Sequence, residues 1–277
     1  MLQKTIQKSK RFTKNLRKWA THTGFTSPSC RHEYSRIVDR KKLFTTLRRC
    51  NNCKLLFRAP ITTEAENETH YNQGGGDFDF ASTLPSVYKL NELIKTDFKG
   101  TAGCGASKIK VLEALGCHKG EKLLDFGCAW GYKTWQLKKA GYVVTGFEIS
   151  KQNCNYAIEN LGIEAYSSWD QITGPFDIFF STHVLEHVSN VREMIDKGWQ
   201  MLRPNGLFIA FTPNGSTEFR AKDPSAWHSL WGGGHINFLD KIYYNQVFNQ
   251  FPRLMSSATL TTPHPFEDLK MWDQTNT

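Results

Sequence analysis

A short glycine-containing run, Leu123 to Gly131, has residues that could bind a nucleotide-like ligand. Its sequence, LLDFGCAWG, is typical of a buried strand followed by a tight turn and the start of a helix. Gly127 permits a positive φ in that turn, and the first N–H groups of the following helix face whatever lies above it. Glu148 follows the next predicted strand, Val143 to Phe147, about 20 residues beyond Gly127. A carboxylate at this spacing can accept hydrogen bonds from both hydroxyls of a ribose.

The glycine pattern distinguishes between two adenosine cofactors, a nicotinamide dinucleotide and S-adenosylmethionine. A dinucleotide-binding turn has the form G-x-G-x-x-G, whose middle glycine lets the pyrophosphate approach the backbone. The turn from Gly127 to Gly131 lacks that middle glycine. Its D-x-G-C-x-x-G form resembles the first motif of the class I S-adenosylmethionine-dependent methyltransferases.

Four later segments resemble the same family and follow its order along the chain. They are FDIFFS (176–181), THVLEHV (182–188), MLRPNGLFIAFTPN (201–214) and GHINFL (234–239), the last resembling small-molecule members. The resemblance implies methyl transfer from S-adenosylmethionine to a small-molecule or glycan acceptor, most readily at a hydroxyl. Glu148 would hold the ribose, and Asp170 either contacts the adenine amino group or caps a turn. The residues implied to bind the cofactor are Asp125, Gly127, Cys128, Ala129, Gly131, Glu148, Ile149, Asp170 and Ser181.

Histidines after the fourth strand of this sheet, and late in the chain, could act as bases. His183, Glu186 and His187 spell H-x-x-E-H, which on a helix would match an inverted zinc-peptidase motif. Their position after a strand of a cofactor-binding sheet argues against a peptidase. Two interpretations of the motif remain: a cation site that orients a substrate oxygen, or a loop that Glu186 and His187 stabilise. Imidazole titrates near neutral pH, so His183 and His235 are the candidate catalytic residues, although a structural contact is an equal alternative for His235.

Cysteine spacing near the N-terminus indicates a small metal-binding module. A C-x-x-C pair there resembles the second knuckle of the zinc ribbon that precedes the catalytic domain in many methyltransferases of this type. Ser27 stands where the first knuckle would have a cysteine, so a fourth ligand would have to come from His22 or His32. Either a structural zinc or a metal-free remnant with ordinary buried thiols is compatible with this pattern. The candidate metal ligands are Cys30, Cys50 and Cys53.

Charge is unevenly distributed along the chain, which bears on its partners. The chain has 35 Lys and Arg against 26 Asp and Glu, a net charge of +9. Residues 1–60 hold 16 of the basic residues and two acids, Glu33 and Asp39, so the remainder has a net charge of −5. A nucleic-acid footprint over the whole surface is therefore not indicated, whereas residues 1–20 could contact a membrane surface or another anion. Two alternatives remain. One is RNA methylation that uses residues 1–60, here called the basic module, and the other is S-adenosylmethionine binding without catalysis.

The alternation of predicted strands and helices favours an α/β fold with a Rossmann-like, mostly parallel sheet and helices on both faces. A small cysteine-containing module precedes it. Ser107 is expected to cap the first helix of the sheet domain, and Met255 to Thr262 to supply a last strand. The absence of a long apolar run and the odd number of cysteines, seven, favour a cytoplasmic protein without a transmembrane segment. The expected divisions are a basic tail (1–25), a ribbon-like module (26–60), a linker or lid (61–106) and the methyltransferase domain (107–277).

Overall fold

The computed structural model describes residues 13–249, apart from 22, 42, 64, 67–79 and 233. Residues 1–12 of the predicted tail, part of the predicted lid and the predicted strand Met255 to Thr262 lie outside the described residues. Among the helices that are described, none has the length and apolar character needed to cross a membrane. The described chain divides into a larger compact unit, residues 80–184 and 196–211, and a smaller one, residues 13–66, 185–195 and 212–249.

Strands and helices alternate from residue 106 to residue 211, as the sequence pattern predicts. The strands are β1 (Ser35–Lys41), β2 (Thr45–Cys50), β3 (Leu56–Ala59), β4 (Lys122–Phe126), β5 (Val143–Phe147), β6 (Glu164–Tyr166), β7 (Phe176–Thr182), β8 (Leu202–Phe211) and β9 (Asn237–Phe238). The α-helices are α1 (13–20), α2 (Val87–Lys95), α3 (Ala106–Ala114), α4 (Tyr132–Ala140), α5 (Lys151–Leu161), α6 (Val191–Gln200), α7 (Thr217–Lys222), α8 (Pro224–Leu230) and α9 (Lys241–Val247). A 3₁₀ turn covers Trp169–Gln171.

The larger unit is built on a five-stranded sheet of order β6-β5-β4-β7-β8, in which every pair of neighbours runs parallel. The inner strands β4 (KLLDF) and β7 (FDIFFST) are mostly apolar and buried, as expected for strands covered on both faces. Strand order reverses between β4 and β7, and this reversal creates a crevice beyond their carboxyl ends. The predicted Rossmann-like α/β fold is confirmed.

Apolar clusters hold the helices of the larger unit in place. A Cβ at Gly198 would lie 2.8 Å from the rings of Phe179 and Phe208, so glycine lets the helix approach these strands closely. One cluster includes Leu112, Leu123, Leu137, Val144, Ile178 and Phe180. A second cluster includes Leu90, Phe98, Trp130, Tyr132, Ala157 and Leu161.

Helices in this unit differ in how their first turns are capped. Ser150 accepts a hydrogen bond from the Asn153 N–H at the start of α5, and Gly162 ends that helix in the left-handed region. The prediction that Ser107 caps α3 is wrong. That helix already begins at Ala106, and Gly105 precedes it without a side-chain cap. Ser107 therefore lies inside the first turn, where its hydroxyl cannot serve as the N-cap acceptor.

The smaller unit contains a four-stranded antiparallel sheet of order β1-β2-β3-β9. β9 comes from the late GHINFL segment, and its Phe238 pairs with Leu56 of β3. A buried ion pair of 2.6 Å joins Arg49 to Asp240, and Asp240 also caps α9. The late segment therefore belongs to the same sheet as the predicted ribbon-like module. One apolar cluster of the smaller unit consists of Leu47, Leu56, Phe219, Trp227, Trp231 and Phe238.

Candidate active site

The turn after β4 has a backbone that its sequence accounts for. Gly127, Ala129 and Gly131 have φ values of 78°, 51° and 85°. The N–H groups of Gly127 and Cys128 donate to the Phe147 carbonyl at 2.8 and 2.9 Å, which fastens the turn to the end of β5. A Cβ at Gly127 would lie 2.3 Å from a valine methyl group, so this position has room only for glycine.

Glu148 follows β5 and is almost completely buried. Its two carboxylate oxygens accept the N–H groups of Ala129 at 3.0 Å and of Ser150 at 2.8 Å. Burial raises the pKa of Glu148 to about 7; the two N–H groups oppose this rise, and the negative charge of Asp125 adds to it. Each oxygen can accept a further hydrogen bond, so the carboxylate retains the capacity to bind two hydroxyls.

Asp125, the last polar residue of β4, is turned toward α4. It accepts a hydrogen bond of 2.7 Å from the Thr134 hydroxyl and is 1% exposed. Burial raises the pKa of Asp125 to about 6, although the Thr134 hydroxyl and the Lys133 ammonium act in the opposite direction. The carboxylate therefore fastens the first turn of α4 to β4, and its contact with a cofactor stays a prediction.

The remaining predicted cofactor residues differ in what their side chains can reach. The Cys128 thiol is buried close to the Cα of Gly146, so this side chain lies in the core. Ser181 is fully buried near the end of β7, and its Oγ has no hydrogen-bond partner within the part of the chain that the structure describes. Ile149 and Asp170 are exposed. Of this group, only Ser181 presents a buried polar atom that a ligand could satisfy.

Strand register brings three of these segments to one edge of the sheet. β4 pairs in register with β5 and with β7. In these two pairings, the last paired residues of the strands are directly followed by Gly127, Glu148 and Thr182. In open parallel sheets, ligands bind beyond this carboxyl edge, where the strand order reverses. The structure therefore brings the predicted glycine turn and the predicted ribose acid together.

Sequence reasoning missed two polar residues at the same edge, Lys133 and Thr182. The Lys133 ammonium donates a hydrogen bond of 2.8 Å to the Thr182 hydroxyl. The sequence signal that could have pointed to Lys133 is its position two residues after Gly131, in the first turn of α4. Nothing in the sequence showed that its side chain turns toward β7.

The two candidate catalytic histidines lie in different surroundings. His183 directly follows β7 in the larger unit; it is exposed, has a φ of 57°, and its N–H donates to the Phe211 carbonyl at 2.8 Å. His235 belongs to the smaller unit, where its ring nitrogen Nδ1 lies 2.5 Å from the Leu230 carbonyl oxygen. Both catalytic roles stay predictions.

Within the smaller unit, Glu186, His187 and His235 form a compact group of possible metal ligands. Their ligand atoms all lie within 4.8 Å of one another. Residues 185–187 form a turn and not the helix that a zinc-peptidase motif requires. The Glu186 carbonyl accepts the N–H groups of the two residues after His235 at 2.7 and 2.9 Å, so this loop is fastened to the late segment.

The three cysteines predicted as metal ligands converge in the smaller unit. The sulfur atoms of Cys30, Cys50 and Cys53 lie within 4.8 Å of one another, and those of Cys30 and Cys50 are 3.5 Å apart. The Ser27 hydroxyl lies 3.3 Å from the Cys53 sulfur and is buried. Ser27 therefore lies beside the thiols, as expected for the residue that replaces a knuckle cysteine.

Of the two predicted histidine ligands, His32 is the one that lies in the described part of the chain, and it does not complete this cluster there. The exposed His32 ring has its Nδ1 atom 3.4 Å from the Cys30 carbonyl and 3.3 Å from the Asn52 side-chain amide. Its described contacts are thus to a carbonyl and an amide and not to the sulfur atoms. His22 lies outside the described residues.

Comparison with known proteins identifies the family. Residues 106–251, more than half of the chain, match the family model of the methyltransferase domain. The chain belongs to this family. The predicted resemblance to class I S-adenosylmethionine-dependent methyltransferases is thereby confirmed.

Individual relatives of this methyltransferase-domain protein are more distant. It is 30% identical over 106 residues to a ubiquinone biosynthesis O-methyltransferase of Caulobacter sp. (strain K31), covering 35% of this chain and 42% of that one. It is 29% identical over 168 residues to the protein of the same description from Nitrobacter winogradskyi, covering 56% and 63%. The chain thus spans about half the length of these relatives. Magnesium protoporphyrin IX methyltransferase from Synechocystis PCC 6803, solved with bound S-adenosylhomocysteine, aligns with a TM-score of 0.48 and 17% identity over 68% of this chain and 88% of that one.

Proposed function

We propose that this chain binds S-adenosylmethionine at the carboxyl edge of its parallel sheet and transfers the methyl group to a hydroxyl of a small-molecule acceptor. The observation that carries this proposal is the buried Glu148 carboxylate, hydrogen-bonded to the N–H of Ala129 in the glycine turn. An acid at this position is suited to binding a ribose diol. Membership of the methyltransferase-domain family supports methyl transfer over other uses of an adenosine site.

The residues at this edge fit the cofactor. Glu148 would hold the ribose, and the backbone from Gly127 to Gly131 would hold the amino-acid end. The buried Ser181 hydroxyl, which has no partner among the described residues, offers one more polar contact. S-adenosylmethionine supplies a methyl group already activated by a positive sulfur. The remaining work of the chain is to align the acceptor and to remove its proton.

Of the two histidines, His183 is the better-supported base. It is exposed and directly follows β7, whose end lies at the cofactor edge. We expect His183→Ala to lower kcat by roughly 10²-fold or more, with loss of the acidic limb of the pH–rate profile. An unchanged profile in His183→Ala together with its loss in His235→Ala would transfer the role to His235.

The relatives support a hydroxyl acceptor. The Caulobacter and Nitrobacter relatives are ubiquinone biosynthesis O-methyltransferases, which favours a quinol-like hydroxyl for this chain. The net charge of −5 after residue 60 disfavours a nucleic acid at the catalytic part. RNA methylation and cofactor binding without catalysis are therefore the less supported alternatives, and a glycan acceptor stays within the proposal.

Calorimetry with S-adenosylhomocysteine tests the proposed cofactor site. Glu148→Ala should leave two ribose hydroxyls without their acceptor and weaken binding by roughly 1–3 kcal/mol, about 5- to 150-fold. Glu159→Ala, which removes an exposed carboxylate from α5, is the matched control and should bind like the wild type. Equal affinity in both variants would exclude Glu148 as the ribose ligand.

We further propose that Cys30, Cys50 and Cys53 bind one structural zinc through their thiolates. Three sulfur atoms within 4.8 Å of one another support this proposal, since a tetrahedral zinc site needs closely grouped donors. The Ser27 hydroxyl lies 3.3 Å from the Cys53 sulfur, so a fourth ligand there would be this hydroxyl or a water molecule beside it, both weaker than a thiolate. With three thiolates and one weaker ligand, the metal should be held less firmly than by four cysteines.

A further inference from the structure

An apolar patch is exposed at the turn between β1 and β2 in the smaller unit. Leu43 in this turn is 79% exposed, and Trp19 of α1 is 52% exposed. The ring of Trp19 lies 5.4 Å from the ring of Phe44, the residue after Leu43. Leu16 is also exposed, and it shares a face of α1 with Trp19 because the two are three residues apart. These four residues are here called the hairpin patch.

Polar contacts hold α1 against this turn. The Lys14 and Lys18 ammonium groups pair with the Glu66 carboxylate at 2.9 and 2.7 Å. The Asn15 side-chain amide donates a hydrogen bond of 3.4 Å to the hydroxyl of Thr45, the first residue of β2. Helical geometry places the two lysines on the side of α1 away from the hairpin patch. The helix is therefore fastened by its polar side, and its apolar face is left exposed.

Positive charge surrounds the hairpin patch. Residues 1–20 contain seven Lys and Arg and no acid, and the basic module as a whole has 16 basic residues against two acids. Arg17, next to Leu16 on α1, and Arg40, near the end of β1, are both exposed. An exposed apolar patch bordered by cations is typical of surfaces that bind anionic membranes.

We propose that the hairpin patch docks this protein onto an anionic lipid bilayer, with Leu43 and Trp19 inserted at the headgroup level. A tryptophan ring suits the membrane–water interface, and an aliphatic side chain gains free energy by leaving water. The sequence alone predicts an anionic contact for residues 1–20; the structure adds the β1–β2 turn, which carries the most exposed large apolar side chain of the described residues. RNA could bind the arginines but offers no apolar environment for Leu43.

Vesicle co-sedimentation of the full-length protein tests this docking surface. The vesicles are equal parts phosphatidylcholine and phosphatidylglycerol, or phosphatidylcholine alone. The wild type should bind the anionic vesicles more tightly than the neutral ones. Leu43→Ser should weaken this binding roughly tenfold, because its leucine no longer leaves water. Arg17→Gln should weaken it about fivefold, the usual contribution of one basic residue near an anionic surface.

Val87→Ser is the matched control, because it removes an apolar side chain of α2 that is 65% exposed and lies in the larger unit. It should bind vesicles like the wild type. Leu43→Ser alters an exposed turn residue, so its thermal unfolding should match that of the wild type, and this is measured alongside. Trp19→Ser removes the second inserted side chain and provides an independent test of the same surface.

Four results would overturn the inference. The first is a wild type that does not bind anionic vesicles. The second is vesicle binding that both Leu43→Ser and Trp19→Ser retain in full. Binding to purified RNA without binding to vesicles would assign the positive charge to a nucleic acid. Self-association that Leu43→Ser abolishes, again without vesicle binding, would assign the hairpin patch to a second copy of the chain. None of these readouts depends on methyl transfer, so the proposed function is tested separately.

Discussion

Two carboxylates, Asp125 and Glu148, lie near the carboxyl edge of the parallel sheet, where burial disfavours their charged forms. Burial raises the pKa of Asp125 from 3.8 to about 6 and that of Glu148 from 4.5 to about 7. A raised folded-state pKa means that the folded chain holds the proton more tightly than the unfolded chain does. The stabilisation is therefore fully present below the unfolded pKa and is lost as pH rises through the folded pKa.

We expect the free energy of unfolding of the ligand-free protein to fall between pH 4.5 and pH 7 because of Glu148. The contribution of this group across that window is about 3 kcal/mol. Urea unfolding at pH 5 and pH 8 measures it, and Glu148→Gln, which cannot titrate, should show a smaller decrease. If wild type and Glu148→Gln lose the same stability, Glu148 does not have a raised pKa.

At the residue scale, the spacing of residues in the sequence predicted where a residue lies better than where its side chain points. The interval from Gly127 placed Glu148 correctly beside the turn, because strand and helix lengths in such units vary little. The sequence could not show that the Asp125 side chain turns toward Thr134, or that Lys133 reaches β7. Those directions depend on helix orientation against the sheet, which no local pattern encodes.

At the element scale, the cysteine cluster gives a direct metal prediction. Purified protein should contain about one zinc per chain, and the double variant Cys50→Ser, Cys53→Ser should contain none, because two of the three thiolates are removed. Elemental analysis measures this. Cys104→Ser, which removes a thiol outside the cluster, should keep the wild-type content.

Ser27→Cys extends the same test. A fourth thiolate should slow zinc loss to a chelator, because it replaces a weaker ligand in the tetrahedron. Zinc that survives in the double cysteine variant but disappears in His187→Ala would contradict the thiol assignment. It would place the metal at Glu186, His187 and His235.

Elements were predictable where they form locally and unpredictable where they pair across the chain. The alternation that produces β4 to β8 follows hydrophobic pattern and glycine punctuation. The pairing of β9 with β3 joins residues about 180 positions apart, and a two-residue strand carries almost no local signal. In the sequence, only its resemblance to methyltransferases connects the late segment to a structural unit.

At the scale of the whole molecule, this pairing determines how the basic module can be tested. Removing residues 1–60 deletes β1, β2 and β3, so Phe238 loses its strand partner, and Trp227 and Trp231 lose Leu47 and Leu56 from their apolar cluster. We expect the truncated chain to lose cooperative thermal unfolding or to be insoluble, because large buried aromatic surface becomes exposed. If the truncated chain folds normally, the smaller unit does not depend on β1–β3.

For the same reason, the charge of the basic module should be tested in the full-length chain. Arg36 and Arg40 are exposed on β1, so an Arg36→Gln, Arg40→Gln variant reduces the positive charge without removing a strand. If RNA were the acceptor, this variant should weaken RNA binding and reduce its dependence on salt concentration. We expect no effect on methyl transfer to a small acceptor.

The central claim, methyl transfer to a small-molecule hydroxyl, is tested most directly by label transfer with the full-length protein. The protein is incubated with methyl-labelled S-adenosylmethionine and, separately, with quinols and catechols, free sugars, and purified RNA. We predict that label enters a hydroxyl of a quinol-like compound or sugar, and that Glu148→Ala lowers the incorporation while Glu159→Ala does not. Label found in RNA alone, or in no acceptor class despite demonstrated cofactor binding, would contradict the account.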